Sequence, residues 1–328
     1  MVAKAPSQWL SGKGPDVKLS AADQQRAGAF MHSRARPLEQ ALYAFHFEGA
    51  GREGVLDALA AFQNADGGFG RGVEPDLAFG GSSVICTVRA MELLAEVAAP
   101  PDCPLVRGGI DYLLGAYDPQ AQVWEIVPRA VNDGPHAPWW HYEDAGQAAI
   151  WGGYLVNPRA EVIGCLYDYA ALVPPALLRE VTDSLMAHLE SCGGLKDRHE
   201  IACCLTLVET AAIPAELRER LVAHLRQPVA RAVERDPAKW DGYCFRPAGY
   251  MSAVRSPTSP FADMLAADVE RSLDHTIQHQ QADGSWAPTW SWGEAFPDAW
   301  EQANLAWKGI LTVRSLRLLA SFARLEAF

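Results

Sequence analysis

The sequence predicts an all-α protein built from paired helices, and three observations carry that expectation. Apolar residues recur at helical spacing through most of the chain. Glycine or proline marks where each run stops. Period-two alternation is hard to find, and no Asn-Gly or Asp-Gly turn joins two β-branched runs.

The elements follow in order. Val55, Leu59 and Phe62 share a helical face, and Asp66-Gly67-Gly68 closes that helix. Val84, Val88, Met91 and Ala95 line the next, which opens at Ser82-Ser83. Tyr112-Leu113-Leu114 ends another, ahead of Val123-Trp124. Val162, Leu166, Tyr169 and Val173 form a face that stops at Pro174-Pro175. A further helix ends near Glu190 at Cys192-Gly193-Gly194, where glycine accepts the left-handed backbone that terminates a helix. His199-Glu200, preceded by Arg198, opens the run of Ile201, Leu205, Val208 and Ala212. Leu217, Leu221 and Leu225 lie between Ile213-Pro214 and Gln227-Pro228, where proline is expected to break the helix. Leu265, Val269 and Leu273 lead to a helix end near Gln281, then Asp283-Gly284. The last helix places Trp307, Leu311, Leu318, Phe322 and Leu325 on one face, with Arg314 as an exception. About twelve helices without a low-complexity linker predict a single domain over 1–328, with 1–18 as a loosely ordered N-terminal extension.

Two of these helix ends resemble each other. Gln63-Asn64-Ala65-Asp66-Gly67-Gly68-Phe69-Gly70 parallels Gln280-Gln281-Ala282-Asp283-Gly284-Ser285-Trp286. Aromatic or apolar anchors at 69, 124, 195, 240 and 286 recur at a mean of about 54 residues, the length of one helix pair, which divides the chain into about six pairs. These segments resemble the QW-type repeats of the terpenoid cyclase and protein prenyltransferase superfamily, and the chain resembles an uncharacterised bacterial single-domain branch of it. The resemblance implies an α/α toroid, with an inner ring of helices inside an outer ring around a central cavity. It also implies that Gln63, Phe69, Gln281 and Trp286 are structural, bracing one helix pair against the next.

Composition narrows the function. Forty acidic against 28 basic residues give a net charge of −12. With no Lys/Arg run, that balance argues against nucleic acid, whose binding needs basic groups to displace counterions. No apolar stretch approaches the length of a membrane span or a signal peptide, so a cytoplasmic protein without integral membrane contact is expected. The seven cysteines lack metal-type spacing and read as reduced, mostly buried small hydrophobes. The eleven tryptophans cluster: Trp139, Trp140 and Trp151 in one window; Trp286, Trp290, Trp292, Trp300 and Trp307 in another.

In toroids of this kind, the loops after each Asp-Gly-aromatic turn lead into inner helices that face the cavity. That implication selects Glu74-Pro75-Asp76, the nearest acidic pair to a helix start, and Trp290 to Glu294. The segment Asn132 to Asp144 is too polar and proline-broken for a helix, yet too aromatic for an ordinary surface loop. It offers His136, His141, Glu143 and Asp144 as acid–base groups, and Trp139, Trp140 and Tyr142 as a wall. Asp241 to Pro247, with Tyr243 and Arg246, is a second irregular polar-aromatic stretch. Asp274-His275 and His279 put two imidazoles one helical turn apart, but without a zinc-protease Glu, and a surface pair is expected rather than a metal site.

The expected catalytic set is therefore Glu74, Asp76, His136, His141 and Glu143. The expected substrate-binding set is Trp139, Trp140, Tyr142, Asp241, Tyr243, Arg246, Trp290, Trp292 and Trp300. No metal and no cofactor are expected. The resemblance implies a terpenoid-cyclase-like isomerase or lyase using acid–base chemistry on an isoprenoid or other apolar substrate, by cyclisation, isomerisation, hydration or dehydration. Two departures stand against a standard member: the Asp-x-Asp-Asp acid motif of class II cyclases is absent, and no Asp-x-Cys matches the prenyltransferase zinc site. A carbohydrate-active α/α-barrel enzyme and a non-catalytic small-molecule-binding toroid are the alternatives.

Overall fold

The structure is a computed structural model that describes residues 17–144 and 146–327; the greater part of the expected N-terminal extension lies outside them. The chain is mainly helical, 57% helix and 5% strand, with twelve α-helices among the described residues. They are α1 (Ala21–Arg34), α2 (Pro37–Phe47), α3 (Glu53–Ala60), α4 (Val84–Glu96), α5 (Pro104–Gly115), α6 (Gln147–Ile150), α7 (Arg159–Asp168), α8 (Pro175–Ser191), α9 (Arg198–Glu209), α10 (Ala215–Ala232), α11 (Ala266–Gln278) and α12 (Pro297–Ser321). Two short strand pairs accompany them: Tyr117–Asp118 with Val123–Trp124, antiparallel, and Arg246–Ala248 with Ser252–Val254, parallel.

Helix starts follow local chemistry. Ser20, Ser83 and Asp197 cap α1, α4 and α9 by accepting backbone N–H groups from the first turn. Proline occupies the first helical position of α2, α5 and α8, where its missing N–H costs nothing. Several boundaries differ from the sequence expectation; α7 stops at Asp168, so Tyr169 and Val173 of its expected face lie beyond it, around a 3-10 turn at Ala170–Leu172. Pro228 does not separate helices but lies inside α10. The apolar face of Leu217, Leu221 and Leu225 continues through buried Val229 and Val233, and that burial outweighs the lost backbone bond. The last helix begins at Pro297, ten positions before Trp307, so Trp307 lies in its interior.

Contacts divide the chain into two compact units. Among the described residues, the first comprises 17–50, Val229–Ser291 and 304–327; the second comprises Gly51–Pro228 and Trp292–Ala303. In the second unit, α7 packs on α4, α8 and α9, and its residues Arg159 to Leu166 are all buried, so it is the core helix. In the first unit, α1 packs on α2, while a bridge between Leu19 and Leu325 ties the two ends of the described chain together. The buried guanidinium of Arg324 reinforces that tie by pairing with Glu270 and Asp274 of α11.

The repeated turn has the same hydrogen bonds in each unit. In the second unit, Gln63 Nε2 donates to Gly67 O at 2.9 Å and to Leu105 O at 3.1 Å. Phe69 N donates to Thr87 Oγ1 at 3.0 Å. In the first unit, Gln280 Nε2 donates to Gly284 O at 2.9 Å and to Asp23 O at 3.0 Å, while Trp286 N donates to Thr312 Oγ1 at 3.1 Å. The bracing glutamine is thus Gln280, not Gln281. Gln281 is exposed and reaches only His279 O, at 3.3 Å. The glutamine stands four residues before the turn glycine in both copies, which fixes the correspondence. Three anchor tryptophans act alike: Nε1 of Trp124 and Trp286 donates to Leu113 O and Thr276 O, carbonyls in the last turns of α5 and α11, and Nε1 of Trp240 donates to Glu234 O, two residues beyond α10.

Candidate functional site

The loop after the first repeated turn carries Glu74 and Asp76, both buried. It is held to the polar-aromatic segment by a bridge between Leu77 and His136 and by Ala137 N donating to Asp76 O at 2.9 Å. Trp292 Nε1 donates to Asp76 Oδ1 at 2.8 Å. Trp292 also forms an apolar cluster with Ala137 and Ala303, against which Ala78, Trp140, Ala295, Ala299 and Trp300 pack. Trp300 lies 5.7 Å from Trp292, ring centre to ring centre. A buried carboxyl group therefore stands at the edge of an indole-rich surface.

The histidine pair is ordered by its hydrogen bonds. His136 Nδ1 lies 2.7 Å from Gly134 O, and a carbonyl only accepts, so Nδ1 carries the proton. His136 Nε2 is then the acceptor facing His141 Nδ1 at 3.2 Å. His136 is buried and His141 exposed, so the pair runs from the interior to the surface. The bridge register, with Leu77 opposite His136 and Asp76 beside Ala137, sends Asp76 and His136 to opposite faces of the paired segments.

The rest of the segment folds as short 3-10 turns, Arg129–Asp133 and Pro138–Trp140. Asn132 closes it with reciprocal 2.9 Å bonds to Tyr142 O and Tyr142 N. Tyr142 Oη donates to Glu125 at 2.8 Å. Trp139 is 40% exposed, whereas Trp140 stacks on Trp151 at 5.0 Å. The Nε1–H groups of Trp140 and Trp151 are buried without a partner among the described residues. Glu143 is exposed, its backbone N–H donating to Gln147 Oε1 at 3.0 Å.

Glu74 has a different setting from Asp76. Arg89 reaches Glu74 at 3.6 Å, Glu92 at 2.9 Å and Glu161 at 3.4 Å, so one guanidinium serves three carboxylates. Asp168, beside this group, is pushed up to about 6 by burial and then by the charge of Glu92.

The remaining expected residues belong to the first unit. Trp290 stacks on Tyr250 at 5.3 Å and meets Tyr243 and Trp307 edge-on at 5.6 and 5.0 Å. Trp290 and Trp292, two positions apart, therefore serve two different aromatic groups. Arg246 lies over the Trp240 ring at 5.5 Å. Its Nη2 faces Ser272 O, Ser272 Oγ, His275 Nδ1 and Thr276 Oγ1 at 3.2–3.5 Å. Asp241 Oδ1 lies 3.1 Å from His275 Nε2 and 3.0 Å from His279 Nε2. Burial first, then the nearby Arg246 and His279 charges, push His275 down to about 4 against the opposing pull of Asp241.

The structure thus joins Asp76, Trp140, Trp292 and Trp300 in one site and His136 with His141 in an adjacent pair. Glu74 and Glu143 stand apart from both in chemistry, one an arginine counter-ion and the other a surface group. The sequence reading missed the Asp241–His275–His279 convergence, because no spacing in the chain announces that a loop aspartate meets a helical pair. The chain matches no model of a known protein family, and it matches no curated protein.

Proposed function

We propose that the protein is an acid–base enzyme of the terpenoid-cyclase kind, acting on an isoprenoid or other largely apolar substrate at the Asp76 site. The observation that carries this reading is the buried Asp76 carboxyl, oriented by the Trp292 indole N–H within a cluster of Trp140, Trp292 and Trp300. In the proposed reaction the Asp76 O–H bond breaks and a C–H bond forms on a substrate alkene, leaving a carbocation. Indole faces stabilise that cation through the ring quadrupole. Loss of a proton from the neighbouring carbon to the Asp76 carboxylate restores the acid and gives an isomerised alkene; capture by water, which passes its extra proton to the Asp76 carboxylate, gives an alcohol. The His136–His141 pair is assigned to proton exchange with solvent rather than to the first transfer, because the register turns it away from Asp76. The unpartnered Trp140 N–H supports a substrate that carries one oxygen acceptor on an apolar body. Kinship with the cyclases, and with it the α/α toroid of about six helix pairs, is part of the same proposal. It is supported by the matching Gln, Asp-Gly and aromatic turns of the two units.

The test is to extract the purified protein and identify what it carries, then to measure turnover of that ligand class by wild type and Asp76→Asn. The expected result is an apolar, oxygen-bearing ligand that both proteins bind, with turnover by Asp76→Asn down at least about a hundredfold. A bound sugar would favour the carbohydrate-active alternative. Unchanged turnover by Asp76→Asn would remove the assigned acid, and the absence of any thermal shift across an apolar ligand library would leave the enzyme reading without support.

A further inference from the structure

The first unit holds a second chemical centre, independent of the Asp76 site. Asp241, in an irregular loop, and His275 and His279, on α11 and just beyond its end, bring one donor atom each together, all within 4.8 Å of one another. The helix supplies the pairing, since residues four apart lie on one face. The imidazoles are stacked with centres 3.6 Å apart and planes 8° apart, so one ring has to turn about its side-chain bonds for both in-plane lone pairs to reach one ion.

The hydrogen bonds of His279 say what belongs among these donor atoms. His279 Nδ1 lies 2.7 Å from His275 O, which can only accept, so Nδ1 carries the proton. A neutral His279 therefore turns the Nε2 lone pair toward Asp241 Oδ1, 3.0 Å away. Two lone pairs repel at that distance unless a cation, a metal ion or a second ring proton, lies between them. An imidazole whose other nitrogen is anchored on a backbone carbonyl has the outer-shell arrangement of a metal-binding histidine. The oxygen-to-nitrogen separations of 3.1 and 3.0 Å are close to the roughly 3.3 Å between neighbouring ligands of a tetrahedral zinc ion.

The geometry points to a binding site for a divalent first-row transition metal, zinc above all, at Asp241, His275 and His279. Two imidazoles and one carboxylate suit zinc rather than magnesium or calcium, which prefer oxygen ligands. Three protein ligands leave the fourth position to water, and Asp241, 70% exposed, opens that position to solvent. Arg246 sets the limit on affinity. Its Nη2 faces His275 Nδ1 at 3.2 Å, so the metal-free ring holds its proton on Nε2. Metal binding at Nε2 requires the proton on Nδ1 instead, which ends the Arg246 contact. Arg246 can release the ring because Ser272 O, Ser272 Oγ and Thr276 Oγ1 remain as acceptors. The nearby guanidinium charge makes this a site of moderate affinity.

The full-length protein, stripped with chelator and dialysed, is titrated with Zn²⁺ by calorimetry and with Co²⁺ by visible absorption. The expected result is one equivalent of Zn²⁺ with micromolar Kd and a Co²⁺ d–d band of four-coordinate type. His279→Ala and Asp241→Asn, checked for an unchanged melting temperature without metal, should each weaken Zn²⁺ at least tenfold, while Cys244→Ser binds as wild type. If wild type shows neither the heat nor the Co²⁺ band, a ring proton on His279 takes the place of the metal and the proposal fails. It fails equally if His279→Ala binds as tightly as wild type, or if Cys244→Ser loses the metal. The wild-type Co²⁺ spectrum decides the matter even if the variants do not fold.

Discussion

The Nε1–H of Trp292 donates to Oδ1 of Asp76 at 2.8 Å, joining two buried side chains that stand 216 positions apart. Few single bonds in the second unit tie together segments so distant in the chain. Trp292→Phe keeps the ring but removes the donor, leaving a buried carboxyl oxygen short of one hydrogen bond. The expected loss of stability is about 1–3 kcal/mol by urea unfolding. In the Asp76→Ala background the same change should cost less, because no carboxyl oxygen remains to be left unpaired. Equal costs in the two backgrounds would mean that the bond contributes little.

The glutamines of the repeated turns predict a pattern of three. Gln63→Ala and Gln280→Ala each remove two donors from backbone carbonyls, Gly67 and Leu105 in one case, Gly284 and Asp23 in the other. Each should cost about 1–3 kcal/mol. Gln281→Ala, exposed, should stay within about 0.5 kcal/mol of wild type. Thermal and urea unfolding of the three variants side by side check the pattern; a Gln281→Ala loss as large as that of Gln280→Ala would reassign the brace.

Glycine is required at the turns for two separable reasons. Gly67 and Gly284 have φ of 84° and 90°, and a Cβ there would meet the backbone of Gly108 and of Arg26 respectively. Gly193 has φ of 70° but open space around it. Alanine at Gly193 should cost about 1–2 kcal/mol, the left-handed strain alone. Alanine at Gly67 or Gly284 adds a backbone collision and should cost clearly more. Midpoints of denaturant unfolding for the three substitutions rank the two effects.

Asp168 predicts a pH dependence. Burial and the Glu92 charge raise its carboxyl from 3.8 to about 6 in the folded state. Between those values Asp168 holds a proton in the folded protein that it releases on unfolding, so its contribution to stability falls as pH rises from about 4 to about 6 and then levels, against the opposite contribution of His275, whose ring is pushed down to about 4. Asp168→Asn should flatten that decline and leave the variant more stable relative to wild type at pH 7 than at pH 4. Unfolding midpoints of the two proteins across that range test the sign; an Asp168→Asn advantage that shrinks as pH rises would contradict it.

How much was legible in the chain follows from the range of each interaction. Helical periodicity and glycine stops are local, and they placed α3, α4, α7, α9 and α11. The Gln, Asp-Gly and aromatic turn is local too, although its register needed the structure: two adjacent glutamines, Gln280 and Gln281, look alike until one is seen to reach Gly284 and Asp23. Pro228 misled because propensity is local and the burial of Val229 and Val233 is not.

By itself, the sequence determined the helical class, the repeated turns and the pool of acidic and aromatic residues. Only the tertiary structure decided which of them meet. It gave Asp76 to Trp292, Glu74 to Arg89, and Trp290 to Tyr250. It also brought Asp241 to His275 and His279. The reason is physical: periodicity records which face of an element is buried, while a hydrogen bond between distant residues depends on how those faces pack, and no spacing along the chain carries that distance.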